Sequence, residues 1–281
     1  IVPELPEVET VRRALEPVLE QRYIAAAFVG RDDLRWPLPP NLAARLPGRR
    51  FTHVARCRIY VLMTLDDQNV LLLHLGMSGS VRIHDRAPTL GRHDHIMLTM
   101  ADGEQATSPT HYVVLNDPRR FGWVDLFPLS AQASHKLLQH IGPEPLGNAF
   151  SAEYLQTVFK TRQGPVKNAL LNQQLIAGIG NIYASEALFY AGISPRRKAK
   201  TIAGGRAVRL AAAIVKTLRA AIEDGGTSLR DHIQPGGEIG YFVQQLAVYG
   251  RAGEACRICT TPIKMLVQSG RSSFYCPRCQ R

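Results

Sequence analysis

The first residues of the chain place a backbone amine beside a carboxylate, in the stretch Ile1-Val2-Pro3-Glu4-Leu5-Pro6-Glu7-Val8-Glu9-Thr10. A terminal amine has a reference pKa of about 8, so a useful fraction is neutral at pH 7 and can act as a nucleophile. The neighbouring Glu4 could then move protons. The alternative is an ordinary helix start, with proline and glutamate in the first turn and apolar residues on one face. The rest of the chain decides between the two.

Four of the five cysteines crowd the carboxyl-terminal part of the chain, in the pattern Cys256-x2-Cys259-x16-Cys276-x2-Cys279. This spacing is typical of two knuckles that meet at one tetrahedral zinc ion. We therefore predict one structural Zn²⁺ that holds a β-hairpin too short to bury a core of its own. Basic residues outnumber the single acid around it, so we expect this finger to contact phosphate; they are Arg251, Arg257, Lys264, Arg271, Arg278 and Arg281.

Two glycines, Gly178 and Gly180, precede a predicted helix that begins near Asn181. Glycines at this position let the backbone approach a phosphate, and Asn181 can cap the helix while its amides face the anion. A plain helix-turn-helix corner is the alternative. A dinucleotide-binding fingerprint is disfavoured, because the third glycine and the preceding βαβ unit are missing.

Turns that follow predicted strands carry Met77 and the run Arg119-Arg120-Phe121. Apolar side chains at exposed turns beside arginines could wedge into a base stack and fill the gap left by a flipped nucleotide. Packing at the rim of a core is the alternative. His93 and His95 alternate along a predicted strand, and no third metal ligand follows at a supporting spacing. For them we expect a phosphate contact or a buried hydrogen bond.

The length and composition indicate what kind of protein positions these residues. A chain of 281 residues suits roughly two domains. Its formal charge of +11 and pI near 9.7 make a polyanion the leading partner. Clustered cysteines favour a reducing compartment over a disulfide scaffold. Since the start lacks a signal-peptide pattern and no run of about 18 apolar residues follows, we expect a cytoplasmic protein with no membrane contact.

The hydrophobic pattern predicts an α+β protein with several domains. An opening helix, which Pro17 should end or kink, precedes six predicted strands, and closely spaced strands without helices between them favour a sandwich or barrel. The predicted strands cover 58–65, 69–75, 81–84, 95–100, 112–116 and 122–127. Predicted helices cover 130–141, 166–174, 181–191 and 203–223, with a further one capped by Ser151. We divide the chain into a β-sandwich domain (1–130), a linker (131–150), a helical domain (151–250) with a long loop at 227–240, and the zinc finger (251–281).

Taken together and in this order, the motifs resemble the formamidopyrimidine-DNA glycosylases, bacterial base-excision repair enzymes for oxidised purines. The resemblance runs over nearly the whole chain and is far more specific than any single motif. Leu5 favours this branch over the endonuclease VIII branch, which typically opens Pro-Glu-Gly-Pro. The motifs that carry it are Pro3 to Thr10, His74 to Gly79, His93-Asp94-His95, Asp117 to Gly122, Gly178 to Tyr183, Gly226 to Asp231, Tyr249-Gly250-Arg251 and the four cysteines.

The resemblance implies a bifunctional glycosylase and lyase with a catalytic β-sandwich domain, a helix-two-turn-helix domain and a zinc finger. The amine of Pro3 would attack C1′ of the damaged nucleotide, expel the base and form an iminium, after which β,δ-elimination cuts the strand on both sides. Glu4 would be the acid/base, and Arg271 would grip a phosphate during the second elimination. The loop at 227–240 would cover the flipped base. Backbone phosphates would be held by His93, Arg119, Arg162, Lys167 and Asn181, and the void would be filled by Met77, Arg119 and Phe121.

The expected partner is double-stranded damaged DNA, bound by a monomer. Two departures from the family pattern bear on the chemistry. With Ile1 and Val2 attached, the nitrogen of Pro3 is a tertiary amide that cannot form an iminium. The family also has Arg-Arg-x-Lys-Tyr where this chain has Arg56-Cys57-Arg58-Ile59-Tyr60, so Ile59 stands in place of lysine. If residues 58 and 59 belong to a strand, they face opposite sides, and Arg58 does not replace the lysine.

Three alternative functions follow from the same observations. The two departures favour a lesion-binding homologue without lyase activity. An endonuclease VIII-like enzyme would act on oxidised pyrimidines instead. A general DNA-binding protein with a zinc ribbon would show no preference for damaged over intact duplex.

Overall fold

The computed structural model describes residues 3–104, 108–227 and 242–281. The chain forms two compact units. The described part of unit 1 is 3–104, 108–139 and 225–227, and that of unit 2 is 140–224 and 242–281. Ile1, Val2 and all of the predicted loop after Thr227 lie outside the described residues. The boundary between the units falls between Gln139 and His140, inside the segment predicted as a linker.

Unit 1 is a β-sandwich with an opening helix, as predicted. Its strands form two antiparallel four-stranded sheets, in the orders β1-β6-β7-β5 and β2-β3-β4-β8. The helices are α1 (Leu5–Leu19) and α2 (Leu42–Arg45). The strands are β1 (Tyr23–Val29), β2 (Phe51–Cys57), β3 (Tyr60–Leu65), β4 (Asn69–His74), β5 (Ser80–His84), β6 (Asp94–Ala101), β7 (His111–Asn116) and β8 (Trp123–Pro128).

The core of unit 1 lies among the two sheets and α1. Val8, Val11 and Leu15 of α1 are at most 1% exposed, which confirms the predicted apolar face. They join one cluster with inward-facing strand residues such as Leu73 and Leu115. The six predicted strands are present within a residue or two of their bounds. Strands β1 and β2 are not among the predicted strands, because their alanines and interspersed polar residues give a weak strand signal.

Helix α1 was expected to end or kink at Pro17, but it continues for two more residues to Leu19. A proline this close to a helix end removes only one backbone donor, and the buried Val18 and Leu19 stabilise the last turn. The helix predicted over 130–141 was wrong. A short 3₁₀ helix spans Leu129–Ser134, and turns follow it.

Unit 2 is helical and ends in a β-hairpin. Ser151 caps its first helix as predicted, since the Ser151 hydroxyl accepts a hydrogen bond from Tyr154 N at 3.1 Å. The predicted helix over 166–174 is shorter and ends at Leu170. The elements are α3 (Ala152–Phe159), α4 (Val166–Leu170), α5 (Asn181–Tyr190), α6 (Gly205–Glu223), β9 (Lys264–Gln268) and β10 (Arg271–Tyr275). None of the helices in the described part of the chain is long and apolar enough to cross a bilayer.

Candidate active site and nucleic-acid interface

The start of α1 is held by two glutamates that bond reciprocally. Glu4 occupies the N-cap, and its carboxylate accepts a hydrogen bond from the backbone N–H of Glu7. The Glu7 carboxylate in turn accepts one from Glu4 N at 2.9 Å. Both side chains are 4% exposed, and Pro3 is buried beside them. Because this capping box fixes the peptide that joins Pro3 to Glu4, the positions of both are determined by the helix start.

The second oxygen of the Glu7 carboxylate binds a distant part of the chain. Its Oε1 accepts a hydrogen bond from Thr227 N at 2.9 Å. Gly226 has φ +81°, and a Cβ there would lie 3.1 Å from the same oxygen, so the backbone fits closely only as glycine. One buried carboxylate therefore joins Glu4 to the residues just before position 228. This role of Glu7 was not predicted, although a glutamate three residues after an N-cap is a known capping signal.

Asp117 organises the two turns that carry the predicted void-filling residues. It is 0% exposed, and its Oδ1 accepts hydrogen bonds from Ser78 Oγ at 2.6 Å and from Arg120 N at 3.1 Å. Its Oδ2 accepts one from Gly122 N at 2.7 Å. Ser78 Oγ also accepts from Arg119 N at 3.0 Å. The carboxylate thus ties the turn after β4 to the turn after β7.

The same two turns touch through their backbones. A Cβ on Gly76 would lie 2.3 Å from the carbonyl carbon and oxygen of Phe121, and Gly76 has φ +67°, so any side chain would force the turns apart. Met77 follows directly and is half-buried, as is Phe121. The guanidinium carbon of Arg119 lies 4.8 Å from the centre of the Phe121 ring. The structure therefore brings together the three residues that the sequence analysis grouped.

The two histidines of the His93-Asp94-His95 motif lie beside these turns. The ring Nε2 of the buried His95 lies 2.8 Å from the carbonyl oxygen of Asp117, which confirms the expected buried hydrogen bond. Asp117 N donates to the carbonyl oxygen of His93 at 3.0 Å. The side chain of His93 is half-buried. The next residue, Asp94, begins β6 and forms a 2.6 Å ion pair with Arg82, which helps to fix the backbone at His93.

The hairpin between β2 and β3 corrects one sequence-based expectation. Arg58 and Ile59 form its two-residue turn, since Cys57 pairs with Tyr60, so the argument from alternating strand faces does not apply. Arg58 adopts φ +63°, which a non-glycine residue rarely does. Its guanidinium NH1 donates to the carbonyl oxygen of Leu138 at 3.4 Å. Ile59 packs partly against the core of unit 1, so its position contributes apolar contact.

Glu9 supports this hairpin turn from α1. Its carboxylate accepts a hydrogen bond from Arg56 Nε at 2.8 Å, and Arg56 NH1 donates to the carbonyl oxygen of Arg58 at 3.0 Å. Arg12 and Arg13 also bond to Glu9. Burial opposes the charge on Glu9, but the hydrogen bond and charge of Arg56, with help from the other two arginines, hold the pKa of Glu9 below its ordinary value.

In unit 2, Lys167 of α4 is completely buried. Its Nζ donates to Asn181 Oδ1 at 2.5 Å, to the carbonyl oxygen of Ser272 at 2.8 Å and to Ser273 Oγ at 2.8 Å. An ammonium group has three protons, so these acceptors match its full donor capacity. Lys167 therefore joins α4, the start of α5 and β10 at the residue after Arg271.

Asn181 does not cap α5 as expected, because Gly180 occupies the N-cap and Asn181 is the first helical residue. Its side chain instead donates to the carbonyl oxygen of Ser272 at 3.0 Å. Arg271 begins β10 and is exposed, and Arg162 is exposed in the turn after α3. Of the predicted phosphate-binding residues in unit 2, Lys167 and Asn181 lie together.

The four cysteines of unit 2 form a metal site. Their Sγ atoms all lie within 4.8 Å of one another, with 3.4 Å between Cys259 and Cys276 and 3.9 Å between Cys256 and Cys279. Four thiolates about 2.3 Å from one zinc ion at tetrahedral angles have their sulfurs about 3.8 Å apart, so the geometry fits structural Zn²⁺. The zinc would fix the knuckles at the open end of the β9–β10 hairpin.

Three family profiles match consecutive parts of the chain. They describe the formamidopyrimidine-DNA glycosylase N-terminal domain over residues 2–124, the H2TH domain of the same enzyme over 141–232, and the zinc finger found in FPG and IleRS over 253–281. A formamidopyrimidine-DNA glycosylase from Jannaschia sp. (strain CCS1) is 50% identical over 290 residues, covering 100% of both chains. This chain belongs to the formamidopyrimidine-DNA glycosylase family.

Further members of the glycosylase family agree in sequence and in fold. The formamidopyrimidine-DNA glycosylase of Paracoccus denitrificans (strain Pd 1222) is also 50% identical over 290 residues, again covering 100% of both chains. The crystal structure of MutM (Fpg) from Thermus thermophilus is similar with a TM-score of 0.86 at 37% identity, covering 99% of this chain and 98% of that one. Lactococcus lactis Fpg in complex with DNA containing an abasic site gives a TM-score of 0.88 at 30% identity, covering 99% of both. The fold of an N-terminal sandwich, a helix-two-turn-helix domain and a zinc finger is that of the glycosylase family.

Proposed function

We propose that this family member is a bifunctional DNA glycosylase and lyase that removes oxidised purines, 8-oxoguanine and formamidopyrimidines, from double-stranded DNA. The observation that carries the proposal is the buried start of α1, where Glu7 fixes Pro3 and Glu4 in a chain similar to glycosylases over its whole length. Lactococcus lactis Fpg has been solved with DNA containing an abasic site and with DNA containing an oxidised pyrimidine, and a mutant of it with DNA containing Fapy-dG. DNA of this kind is the substrate class that we assign to the present chain.

In the proposed reaction, the secondary amine of Pro3 attacks C1′ of the damaged nucleotide. The bond between C1′ and the base breaks, and its electron pair leaves with the base. The amine then loses its proton, and the bond between C1′ and O4′ breaks as O4′ takes up a proton, so the sugar ring opens and an iminium joins Pro3 to C1′. Glu4 donates and accepts the protons, because it is the adjacent carboxyl group and is held in place by the capping box. Two eliminations then release the phosphates on the 3′ and 5′ sides, the second with Arg271 holding a phosphate.

This reaction requires a free amine on Pro3. With Ile1 and Val2 attached, the nitrogen is an amide whose lone pair is delocalised, so the chemistry belongs to the form in which Pro3 is the first residue. The form that keeps both residues would bind lesions without forming an iminium. Two features motivate this second function, the residues ahead of Pro3 and Ile59, whose apolar side chain cannot contribute a charge. The full-length similarity to glycosylases favours the enzyme.

Binding of the duplex divides between phosphate contacts and void filling. We assign backbone phosphates to His93, Arg119, Arg162 and Asn181, which position the duplex without reading its sequence; Lys167 would act on phosphate through Asn181. Met77, Arg119 and Phe121 would enter the space left by the flipped nucleotide. This assignment is supported by the two turns that Asp117 holds together.

The flipped base itself would be covered by the segment 227–240. Its first residue, Thr227, is anchored on Glu7, and the rest lies outside the described residues. Because one chain contains every residue assigned to the reaction, we propose that the protein acts as a monomer. We also propose that it acts in the cytoplasm, at the bacterial nucleoid, where its DNA substrate lies.

The test compares three labelled duplexes, with 8-oxoguanine, with an oxidised pyrimidine and undamaged, using the form that begins at Pro3. We expect base release and cleavage on both sides of 8-oxoguanine, slower reaction with the oxidised pyrimidine and none with the intact duplex. Glu4→Gln is the matched control and should abolish cleavage while retaining binding. Lesion-selective binding without base release would favour the binding function. Faster reaction with the oxidised pyrimidine would favour an endonuclease VIII-like enzyme. Equal binding to all three duplexes would favour a general DNA-binding protein.

For the zinc site, Cys276→Ala removes one ligand and should release the metal, because binding and folding of such small modules are coupled. DNA binding should weaken in parallel, and Cys57→Ala is the control that leaves the metal in place. Unchanged zinc content in Cys276→Ala would contradict the assignment.

A further inference from the structure

Unit 2 presents an exposed basic surface that the proposed reaction leaves largely unused. It is formed by the turn at 160–164, after α3, and by the loop at 196–200, after α5. Both segments are rich in long cationic side chains that are exposed to solvent. We call this surface the basic ledge, and its members are Lys160, Arg162, Arg196, Lys198 and Lys200.

The backbone joins the two segments of the basic ledge into one surface. Ala199 N donates to the carbonyl oxygen of Gly164 at 2.9 Å, and Lys200 N donates to that of Arg162 at 2.9 Å. Ala199 is buried between Lys198 and Lys200, so the two lysines flank an anchored position. The cations are therefore presented side by side on a fixed backbone, which lowers the entropy cost of binding a ligand to all of them.

Acidic residues are scarce in the sequence around these cations. Between Tyr154 and Ile222, Glu186 is the one acidic residue. It is 0% exposed, and its carboxylate accepts hydrogen bonds from the backbone N–H groups of 247–249. Within residues 3–104, 108–227 and 242–281, no side chain of the basic ledge forms an ion pair with a carboxylate. The surface thus keeps an uncompensated positive field.

The basic ledge continues into the zinc-finger module of the same unit. Ser194 N and Arg197 Nε each donate to the carbonyl oxygen of Arg281 at 3.1 Å, just ahead of and within the loop at 196–200. Arg278 and Arg281 are exposed there as well. The ledge therefore adjoins the zinc-finger module, whose basic residues are expected to contact phosphate, and this continuity favours nucleic acid over an acidic protein as the ligand.

We propose that the basic ledge binds phosphates of the duplex backbone in addition to those at the damaged nucleotide. The resemblance to the glycosylases assigns a phosphate to Arg162 alone among its members. Extra phosphate contacts would bind intact duplex without reading sequence and would let the protein remain on DNA while it searches. The proposal takes from the proposed function only that the ligand is DNA, and it needs no catalytic step.

The experiment measures binding of the zinc-loaded protein to a long undamaged duplex over a series of salt concentrations. The test variant is K198Q/K200Q, and the matched control is K216Q/R219Q, which removes the same charge from exposed positions of α6. Each lost phosphate contact lowers the slope of log K against log salt by about 0.9 for duplex DNA. We expect the slope to fall by about 1.8 in the test variant and to stay unchanged in the control. Base release at saturating lesion duplex should be the same in both variants and the parent protein.

Two results would overturn the proposal. An unchanged slope in K198Q/K200Q means that the lysines do not contact phosphate, and equal losses in both variants mean that only the total charge matters. If the parent protein itself released no base from lesion duplex, that result would count against the proposed function. The salt slopes would still test whether the basic ledge binds phosphate.

Discussion

Replacing Lys167 with methionine tests whether the buried lysine acts as a structural link or as a phosphate ligand. Methionine has a similar length and apolar stem but cannot donate hydrogen bonds. The change removes one hydrogen bond each from Asn181 Oδ1, the carbonyl oxygen of Ser272 and Ser273 Oγ, although the Ser272 oxygen keeps its bond from the Asn181 amide. At about 1 kcal/mol for each lost hydrogen bond, the variant should lose about 3 kcal/mol of unit 2 stability. With a urea dependence of about 2 kcal/mol per molar, the unfolding midpoint falls by about 1.5 M.

The assay can follow the two units separately. Both tryptophans, Trp36 and Trp123, belong to unit 1, so their fluorescence reports its unfolding, whereas release of zinc to a chelating dye reports unit 2. In Lys167→Met the zinc-release midpoint should fall while the tryptophan midpoint stays. Lys200→Met changes an exposed lysine of the same unit and should move neither.

The salt dependence of DNA binding decides between the two roles of Lys167. If Lys167 is a structural link, Lys167→Met should leave the slope of log K against log salt unchanged while the variant is folded. The substitution should also shift the products towards β-elimination, because the strand that begins at Arg271 is less firmly held. An unchanged zinc-release midpoint together with a slope smaller by about 0.9 would refute the reasoning, since it would show a phosphate contact.

Three further predictions concern unit 1. Glu7→Gln should slow base release by about tenfold with little change in DNA affinity, because one of two backbone N–H groups loses an acceptor worth about 1.4 kcal/mol; an unchanged rate would contradict its positioning role. Gly76→Ala should cost about 2 kcal/mol, measured by tryptophan fluorescence, and reduce selectivity for lesions, because a Cβ overlaps the Phe121 backbone; wild-type selectivity would oppose this. Glu9→Gln should destabilise the fold at pH 7. Arg56 helps to lower the pKa of Glu9 in the folded state, so the charged carboxylate contributes to the free energy of unfolding above the unfolded pKa of about 4.3. This contribution is lost as pH falls through the folded pKa. The urea midpoints of variant and parent should therefore converge in acid and differ at neutral pH.

Much of the fold followed from local sequence signals. Ser151 caps its helix by a side-chain bond that depends only on neighbours, and the six predicted strands alternate or run apolar over short windows. The cysteine spacing located the zinc site because ligand spacing is itself the signal. The family resemblance grouped Met77, Arg119 and Phe121, and the structure holds them at two adjoining turns.

The missed features depend on contacts between residues far apart in sequence. Glu7 binds Thr227, 220 positions away, and no local pattern predicts that pair. No local pattern predicts that Lys167 is buried, and its burial is explained by its acceptors on Asn181, Ser272 and Ser273, which are distant in sequence. Positive φ at Arg58 likewise arises from the tight pairing of β2 with β3, which overrides the strand-like sequence there.

Covalent trapping tests the proposed chemistry most directly. A duplex with one 8-oxoguanine is incubated with borohydride and two forms of the protein, one that begins at Pro3 and one that keeps Ile1 and Val2, and the modified peptide is mapped. We predict a reduced adduct on the nitrogen of Pro3 in the first form and none in the second. Base release without an adduct, or an adduct at another residue of the first form, would contradict the assignment of Pro3 as the nucleophile.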